Sequence, residues 1–267
     1  MTTGAYSRGN GIGCDEVKIQ VHGKFENRNK FIYGEKVNLF FNNVSGLIKK
    51  NGKVYPGLSL FIVNNKKDTV MKHSDLFAEM KKGTGLSPLQ LNAHFVSTLP
   101  CENNEKYKIF IKIWDKKGDG TFHYELPFSV EPNELLTIRS QNMDYSNIYL
   151  WDETEKLVVV NKKVSPENEF ILIMDGLNGL EVIDNKVYPS FSIEIIDKKG
   201  NRILSNANIL DKYKEDGLDS DTFINGQLPV IITFSPGQIY NPCKLKASLI
   251  DLNSDRRIEI EGELIVK

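Results

Sequence analysis

The sequence has no long apolar run and almost no imbalance of charge. Its 267 residues include 34 Lys and Arg against 35 Asp and Glu, which leaves a formal net charge of -1. Because nucleic acids and anionic membranes attract basic surfaces, this balance predicts neither partner. No stretch of ~18 uncharged apolar residues is available for a transmembrane helix, and residues 1–13 lack the apolar segment of a secretory signal. We therefore expect an ordinary soluble globular protein without a transmembrane span.

Cysteine is scarce, and its three instances are Cys14, Cys101 and Cys243. An odd number without C-x-x-C spacing excludes a fully paired disulfide framework and predicts unrelated thiols. Cys14 has a second interpretation, because the preceding Gly-Ile-Gly resembles the small residues ahead of the lipidated cysteine in bacterial lipoproteins, although Gly11 stands where Leu is usual. If an export signal was trimmed ahead of Met1, Cys14 is a candidate lipid anchor, and the protein is then periplasmic or on the cell surface.

Catalytic motifs are missing as well. The four histidines, His22, His73, His94 and His123, show no metal-ligand spacing, and no G-x-S-x-G, P-loop or H-E-x-x-H motif occurs. We predict no catalytic residue, no cofactor and no enzymatic activity. A hydrolase whose carboxylates meet only in the folded chain is kept as an alternative, because such a pair needs no sequence motif.

A repeated segment is the most informative feature that is present. Lys-Val-Tyr-Pro occurs twice, inside the longer matching segments GLIKKNGKVYPGLSL from Gly46 and GLEVIDNKVYPSFSI from Gly179. The match needs no gap, so every residue of the first segment has one counterpart 133 positions later. Such self-similarity predicts a tandem duplication that covers nearly everything after Cys14.

Each copy alternates apolar and polar residues with period two. Val37, Leu39 and Phe41 are one example, and this alternation predicts strands with one buried face. About six or seven such strands per copy, separated by turns rich in Asn, Asp, Gly and Lys, are typical of an immunoglobulin-like sandwich. We therefore predict an all-β protein of two tandem immunoglobulin-like antiparallel β-sandwich domains related by internal duplication, each with one short helix.

The predicted organisation has three parts. Residues 1–14 are expected to be disordered, residues 15–133 to form the first domain and residues 134–267 the second, with no Gly- or Ser-rich linker around Pro132. The short helices are predicted in SDLFAEMKKGTG, which starts at Ser74, and in ANILDKYKEDG of the second copy. In both segments two apolar residues are four apart and a Gly follows them.

One hairpin turn contains a candidate metal site. Asp251, Asn253 and Asp255 follow the D-x-N-x-D order that places oxygen ligands around Ca²⁺. Arg256 stands where an EF-hand loop needs Gly, so a plain β-hairpin turn is the preferred interpretation and at most weak binding is expected. The acidic stretch centred on Asp219 has no acidic counterpart in the first copy and is interpreted as a solvated loop.

Three aromatic residues in one short segment, Tyr145, Tyr149 and Trp151, are candidate ligand contacts. Exposed Tyr and Trp rings combine an apolar face with a polar edge, which suits stacking against a glycan partner. For Trp151 we prefer burial over ligand contact, because burying a ring of this size stabilises a fold and exposing it favours aggregation.

The alternation, the duplicated Gly-Leu and Val-Tyr-Pro segments and the hairpin Ile113-Trp114-Asp115-Lys-Lys-Gly together resemble tandem immunoglobulin-like module proteins of bacterial cell surfaces. The resemblance is one of fold class and transfers no functional residue. It implies an exported, non-catalytic binding or structural module that serves adhesion, protein binding or spacing. The alternatives are a carbohydrate-binding protein that uses exposed aromatics and, second, an unrecognised hydrolase.

Overall fold

The chain folds into two compact units built almost entirely of β-strands. A computed structural model describes residues 3–100, 105–234 and 237–267. Met1–Pro132 form the first unit and Asn133–Lys267 form the second, so the division falls one residue before the predicted boundary. The prediction of an all-β protein with sandwich domains is confirmed.

The described part of the first unit contains ten strands in two sheets. They are β1 (Tyr6–Asn10), β2 (Glu16–Val21), β3 (Lys24–Glu26), β4 (Lys30–Ile32), β5 (Lys36–Asn42), β6 (Pro56–Asn64), β7 (Thr69–His73), β8 (Leu91–Val96), β9 (Lys106–Asp115) and β10 (Thr121–Glu131). One sheet has the order β1-β10-β9-β6-β7, and β4 runs parallel to the end of β10. The other sheet has the order β3-β2-β5-β8.

The second unit contains twelve strands within the described residues. They are β11 (Leu136–Gln141), β12 (Asn147–Asp152), β13 (Leu157–Val158), β14 (Lys163–Val164), β15 (Phe170–Asp175), β16 (Lys186–Val187), β17 (Pro189–Ile196), β18 (Arg202–Asn206), β19 (Leu218–Asp219), β20 (Gln227–Ile232), β21 (Cys243–Asp251) and β22 (Arg257–Val266). The sheets are β11-β22-β21-β17-β18, with β14 parallel to β22, then β13-β12-β15-β20, and the small pair β16-β19. A 3-10 helix spans Asp211–Tyr213 and an α-helix, α1, spans Ser220–Asn225. In the described part of the chain, no helix is long and apolar enough to cross a membrane.

The two units share one strand order. The ten strands of the first unit correspond in turn to β11–β15, β17, β18 and β20–β22, and the parallel strand has the same partner in both units. Side-chain hydrogen bonds recur as well, since Asp75 Oδ1 accepts from the N–H groups of Leu58 at 3.2 Å and Phe77 at 2.9 Å. Asn208, which is 133 positions later, accepts the two equivalent bonds at 3.1 and 3.0 Å.

The repeated Tyr-Pro segments lead into β6 and β17. The carbonyl of Tyr55 accepts a hydrogen bond from the N–H of Lys116 at 2.9 Å, and the carbonyl of Tyr188 accepts one from Leu252 at 2.9 Å. Lys116 also forms an ion pair with Asp75, with 2.6 Å between Nζ and Oδ2. At the equivalent positions the second unit has Leu252 in place of Lys116 and the neutral Asn208 in place of Asp75. Both members of the ion pair are therefore replaced together.

The two large sheets of each unit pack face to face over an apolar core. In the first unit, the ring of Phe41 from β5 meets Phe122 and Tyr124 of β10 edge to face, at centroid distances of 6.3 and 5.8 Å. In the second unit, Phe170 of β15 meets Phe234 at 6.0 Å. Each large apolar side chain that is fully buried contributes roughly 1.5–3 kcal/mol relative to exposure. The cores are thus built from the alternate apolar residues of both sheets.

The N-terminal segment departs from the prediction. Residues 1–14 are expected to be disordered, but Tyr6–Asn10 form β1 and pair antiparallel with residues 121–125 of β10. The prediction is wrong for this stretch because its order depends on a remote partner. The outer edge of β10 supplies the unpaired backbone groups that a polar, exposed segment can bind.

The helix predicted in the first unit is wrong, and the one predicted in the second unit is present only as a single 3-10 turn. The segment after Ser74 forms successive turns, and its counterpart contains only the short 3-10 helix. In both copies one side chain, Asp75 or Asn208, binds the neighbouring strand as well as its own turn, which holds the backbone in place of a regular helix. The α-helix α1 follows Asp219 instead, in the acidic stretch interpreted as a loop. Asp219 caps this helix by accepting a hydrogen bond from Thr222 N–H at 2.8 Å.

Candidate ligand-binding face of the second unit

One sheet of the second unit has apolar side chains on both faces. In β15, Phe170, Leu172 and Met174 point into the core and are at most 1% exposed. Ile171 and Ile173 lie on the opposite face and are half-buried. Because successive side chains of a strand point to opposite faces, the outer side of this strand is apolar too.

Neighbouring strands extend this outer surface in register. Trp151 of β12 and Ile231 of β20 lie opposite Ile171, and the next row along the sheet is centred on Ile173. Side chains opposite one another in antiparallel strands have Cβ atoms roughly 4.5–5.5 Å apart, so these residues form one continuous surface. We call this surface the apolar face, and it consists of Tyr149, Trp151, Ile171, Ile173, Pro229 and Ile231.

Trp151 lies on the apolar face and not in the core. The side chain is half-buried, and its Nε1 donates a hydrogen bond to Glu153 Oε2 at 2.8 Å. Hydrogen bonds from Lys156 and from Trp151 lower the pKa of Glu153, which keeps this carboxylate charged. The prediction that Trp151 is buried is therefore wrong. The register of β12 directs the ring outward, and Glu153 holds its edge.

The first unit has a different surface at the same positions. Leu39 and Leu172, which are 133 positions apart, lie at the centres of β5 and β15, and the residues paired around them correspond one to one. Where the second unit has Trp151, Tyr149, Ile171, Pro229 and Ile231, the first unit has, in the same order, Gln20, Lys18, Asn38, Asn92 and His94. Of the apolar face, Ile173 alone has an apolar counterpart, Phe40. The shared fold therefore does not require this surface to be apolar.

A row of polar side chains borders the apolar face. Asn147, Asp175 and Gln227 lie opposite one another across β12, β15 and β20. Oδ1 of Asp175 is buried and has no hydrogen-bond partner among the described residues. Burial raises the pKa of Asp175, and the side chain of Gln227 offsets part of this effect. Burial and, next, the charge of Asp175 raise the pKa of Tyr149.

The structure brings together two of the three predicted aromatic contacts. Tyr149 and Trp151 share one face of β12, about 6.7 Å apart along the strand. Tyr145 is 37% exposed and precedes β12, outside the paired part of the sheet. The aliphatic members of the face were not predicted, although the sequence carries a signal for them. FILIMD of β15 is apolar at five successive positions, whereas a strand with one wet face alternates.

The candidate calcium ligands have protein partners. Asp251 is buried, and its carboxylate accepts hydrogen bonds from the N–H groups of Glu181 at 2.7 Å and Asn253 at 3.0 Å. Asp255 accepts from a glutamine side chain of β11 at 2.8 Å. Within residues 3–100, 105–234 and 237–267, no group of three or more His, Cys, Asp or Glu is arranged to hold a metal ion. Asp251 instead joins its hairpin to the repeated Gly-Leu segment, as Asp115 does in the first unit.

The described cysteines, Cys14 and Cys243, are free thiols. Cys14 is half-buried, and its Sγ donates to the carbonyls of Glu16 at 3.3 Å and Asn42 at 3.4 Å. Burial raises the pKa of both thiols, which favours the protonated form. Cys101 lies outside the described residues. The lipid anchor at Cys14 stays a prediction from the sequence.

Comparison with known proteins shows only weak likenesses. No protein-family model matches the chain, and no curated protein matches it. The C-terminal domain of Wzt is similar at 12% identity and a TM-score of 0.35, over 48% of this chain and 78% of that chain. The protein pT26-6p is similar at 9% identity and a TM-score of 0.31, over 99% and 66%. Trypsin-activated α2-macroglobulin from Escherichia coli is similar at 11% identity and a TM-score of 0.27, over 95% of this chain and 17% of that chain. Likenesses at this level carry no inference about function.

Proposed function

We propose that this protein is a non-catalytic binding module and that the apolar face of the second unit is its ligand-binding surface. The observation that supports the proposal most is the comparison between the two units. At five of six equivalent positions the first unit has a polar residue or histidine, so the sandwich does not need apolar residues at these five positions. The same face of the first unit does carry two rings, the exposed Phe25 and Phe40, which meet edge to face at 5.8 Å. Residues that a fold does not need, and that reduce solubility, are best explained by a ligand that covers them.

The surface has the physical properties of a binding site. Its central strand, β15, is hydrogen-bonded on both sides along its whole length, which makes the side chains a pre-ordered platform. Ile231 is 61% exposed, and Trp151 is held by Glu153. Covering apolar surface contributes about 25 cal/mol for each Å² removed from water. Aromatic residues add specificity because they are large and have few rotamers.

The repeat supports the same proposal through the history of the chain. We infer that an immunoglobulin-like sandwich was duplicated, because the strand order and the hydrogen bonds of Asp75 and Asn208 recur. The two copies then diverged at the positions of the apolar face. The bacterial surface location and the anchor through Cys14 are part of this proposal as predictions from the sequence.

The test is a fourfold exchange that gives the second unit the residues of the first. The variant carries Tyr149→Lys, Trp151→Gln, Ile171→Asn and Ile231→His. We expect its free energy of unfolding to stay within about 1 kcal/mol of wild type, as for surface changes, and its retention on a phenyl matrix to fall. The control Leu172→Ala removes a core side chain and should cost about 2–5 kcal/mol. If the exchange cost as much as this control, the apolar face would belong to the folding core and the proposal would fail.

A further inference from the structure

The first unit contains a cleft of about 500 Å³ that opens between β1 and β2. Its walls include Ala5 and Ser7 on one side and Val17 and Ile19 on the other, and Tyr124 of β10 also lines it. Because β1 and β2 belong to different sheets, the cleft enters the sandwich between its two layers. Sites for small molecules typically have volumes of roughly 300–1,000 Å³, so the cleft has the size of a binding site.

The second unit has larger apolar side chains at the equivalent place. Ser7 is paired opposite Tyr124, and Ile138 is paired opposite Ile260, the counterpart of Tyr124 in β22. Ile138 packs against the core of the second unit, and Leu136 on the same face of β11 is part of that core. The first unit has the small, polar Ser7 in place of Ile138. The shared fold therefore does not require an open space here.

Tyr124 brings a hydroxyl group without a protein partner to this cleft. The residue is 5% exposed, and its ring meets Phe41 edge to face in the core. Among the residues that the structure describes, none forms a hydrogen bond with the hydroxyl, which is not closed off from solvent as Oδ1 of Asp175 is. Burial raises the pKa of Tyr124 to about 12, so the group is neutral near pH 7. A ligand that displaces water from this hydroxyl must supply a hydrogen bond in return.

The charged side chains of the cleft already have partners. Lys18 Nζ lies 3.2 Å from Glu16 Oε2, and Glu26 forms an ion pair with Arg28. These pairs include each charged residue in the described lining of the cleft. The cleft therefore offers no free countercharge, and a charged ligand would lose hydration without gaining an opposite charge.

Two exposed aromatic rings border the cleft. Tyr6 is 55% exposed and Phe25 is 59% exposed, and both line it. Aromatic pairs contribute more than their buried area, which favours a ligand with an aromatic ring. We propose that the cleft binds a small uncharged aromatic compound whose hydroxyl or carbonyl group forms a hydrogen bond with Tyr124. This site belongs to the first unit and does not depend on the apolar face.

The experiment titrates the full ¹⁵N-labelled chain with one-ring probes at pH 7 and follows its amide NMR signals. Phenol and benzyl alcohol carry the required hydroxyl, toluene lacks it, and benzoate and benzylamine are charged. We expect phenol and benzyl alcohol to shift the amide signals of Ser7, Val17 and Ile19 with millimolar affinity. Toluene should bind about fivefold more weakly because it leaves the hydroxyl of Tyr124 without a partner, and the charged probes should bind more weakly than phenol.

Two variants test the residues that carry the proposal. Ser7→Ile introduces the residue of the second unit and should abolish binding by filling the cleft. The matched control Thr69→Ile adds the same side chain at an exposed position of β7, outside the cleft, and should bind like wild type. Tyr124→Phe should weaken phenol binding about fivefold and leave toluene binding unchanged. It should not lower the melting temperature, because the hydroxyl has no hydrogen bond to lose.

Four results would overturn the proposal or one part of it. Absence of shifts with phenol and benzyl alcohol up to about 10 mM, or unchanged phenol binding in Ser7→Ile, would overturn the site itself. Equal phenol affinity of Tyr124→Phe and wild type would overturn the role of the hydroxyl. Tighter binding of benzoate or benzylamine than of phenol would show that the ligand class is wrong.

Discussion

Replacing Glu35 by Gln is expected to destabilise the first unit strongly at neutral pH and less in acid. The residue is 2% exposed, immediately before β5. Arg28 donates hydrogen bonds to both carboxylate oxygens, each at 2.9 Å, and the N–H of Ile32 donates a third at 2.8 Å. His22 Nε2 lies 3.6 Å from Oε1. The substitution keeps the shape of the side chain and removes the charge that these donors bind.

The expected size of the effect follows from the pKa. Burial alone would raise the pKa of Glu35, but hydrogen bonds from His22, Arg28 and Ile32 outweigh burial and lower it from 4.5 to about 2. One pKa unit corresponds to about 1.36 kcal/mol, so the ionised group contributes about 3 kcal/mol to folding. Because the folded state has the lower pKa, the contribution is fully present above about pH 4.5 and is lost as the pH falls through about 2.

Urea unfolding measures this contribution. The chain has 2 tryptophans, so a Trp151→Phe background leaves Trp114 to report on the first unit by fluorescence. We expect Glu35→Gln to lower the free energy of unfolding by about 3 kcal/mol at pH 7 and by about 1.5 kcal/mol at pH 3. The control is Glu131→Gln, because the 3.1 Å pair of Glu131 with Lys30 is exposed on both sides. Its loss should cost less than about 1 kcal/mol.

Two results would refute the reasoning. An equal loss for Glu35→Gln at pH 7 and pH 3 would mean that the substitution creates a packing defect, since packing does not titrate between these values. A loss no larger than that of the exposed control would mean that water screens the interaction with Arg28.

Two further predictions concern the first unit. Asp75→Asn with Lys116→Leu introduces the two residue types that the second unit has at these places. In urea unfolding, each single change should lower the free energy of unfolding by about 1 kcal/mol, and the double change should lower it by less than the sum of the two. Strictly additive losses would contradict the ion pair. Gly57→Ala places a Cβ 2.1 Å from the Trp114 ring. We expect a loss of about 1–3 kcal/mol and a shifted Trp114 emission, and unchanged emission and melting temperature would contradict packing of the ring on Gly57.

The strands and the division of the chain could be predicted because both depend on local pattern. Alternation such as Val37, Leu39 and Phe41 needs one buried face, and that periodicity is visible without a partner. The repeat then places the corresponding residues of the second unit. The hydrogen bonds of Asp75 recur at the equivalent residue Asn208, as this correspondence predicts. Which backbone groups the two side chains bind could not be predicted from the sequence.

The helices could not be predicted from spacing alone. The segment after Ser74 has apolar residues four apart, but the side chain of Asp75 accepts a hydrogen bond from Leu58 of β6. Turns form there in place of a helix. The helix α1 could have been recognised from Asp219 and Thr222, which have the spacing of a capping residue and the N–H that it binds. Because the acidic composition of that stretch favoured a solvated loop, Asp219 was not recognised as a helix cap.

The candidate binding surface was predicted in part. The spacing of Tyr149 and Trp151 already places both on one face of a strand, because strand periodicity is a property of the backbone. Which face is outward depends on whether the intervening Leu150 or the two rings fill the core, and burial energy alone favoured the larger rings. The register with β15 decides the matter, since Leu150 pairs with the buried Leu172.

The sequence by itself determined the all-β class and the correspondence between the two Tyr-Pro segments, because strand periodicity and the matching of two segments can be read without the fold. Only the tertiary structure decided that Trp151, Ile171 and Ile231 form one surface and that Asp175 lies beside Tyr149. These residues come from strands far apart in sequence, and their neighbours are set by cross-strand hydrogen bonding. Sheet register, which follows from packing of the whole core, is therefore what turned separate side chains into a candidate site.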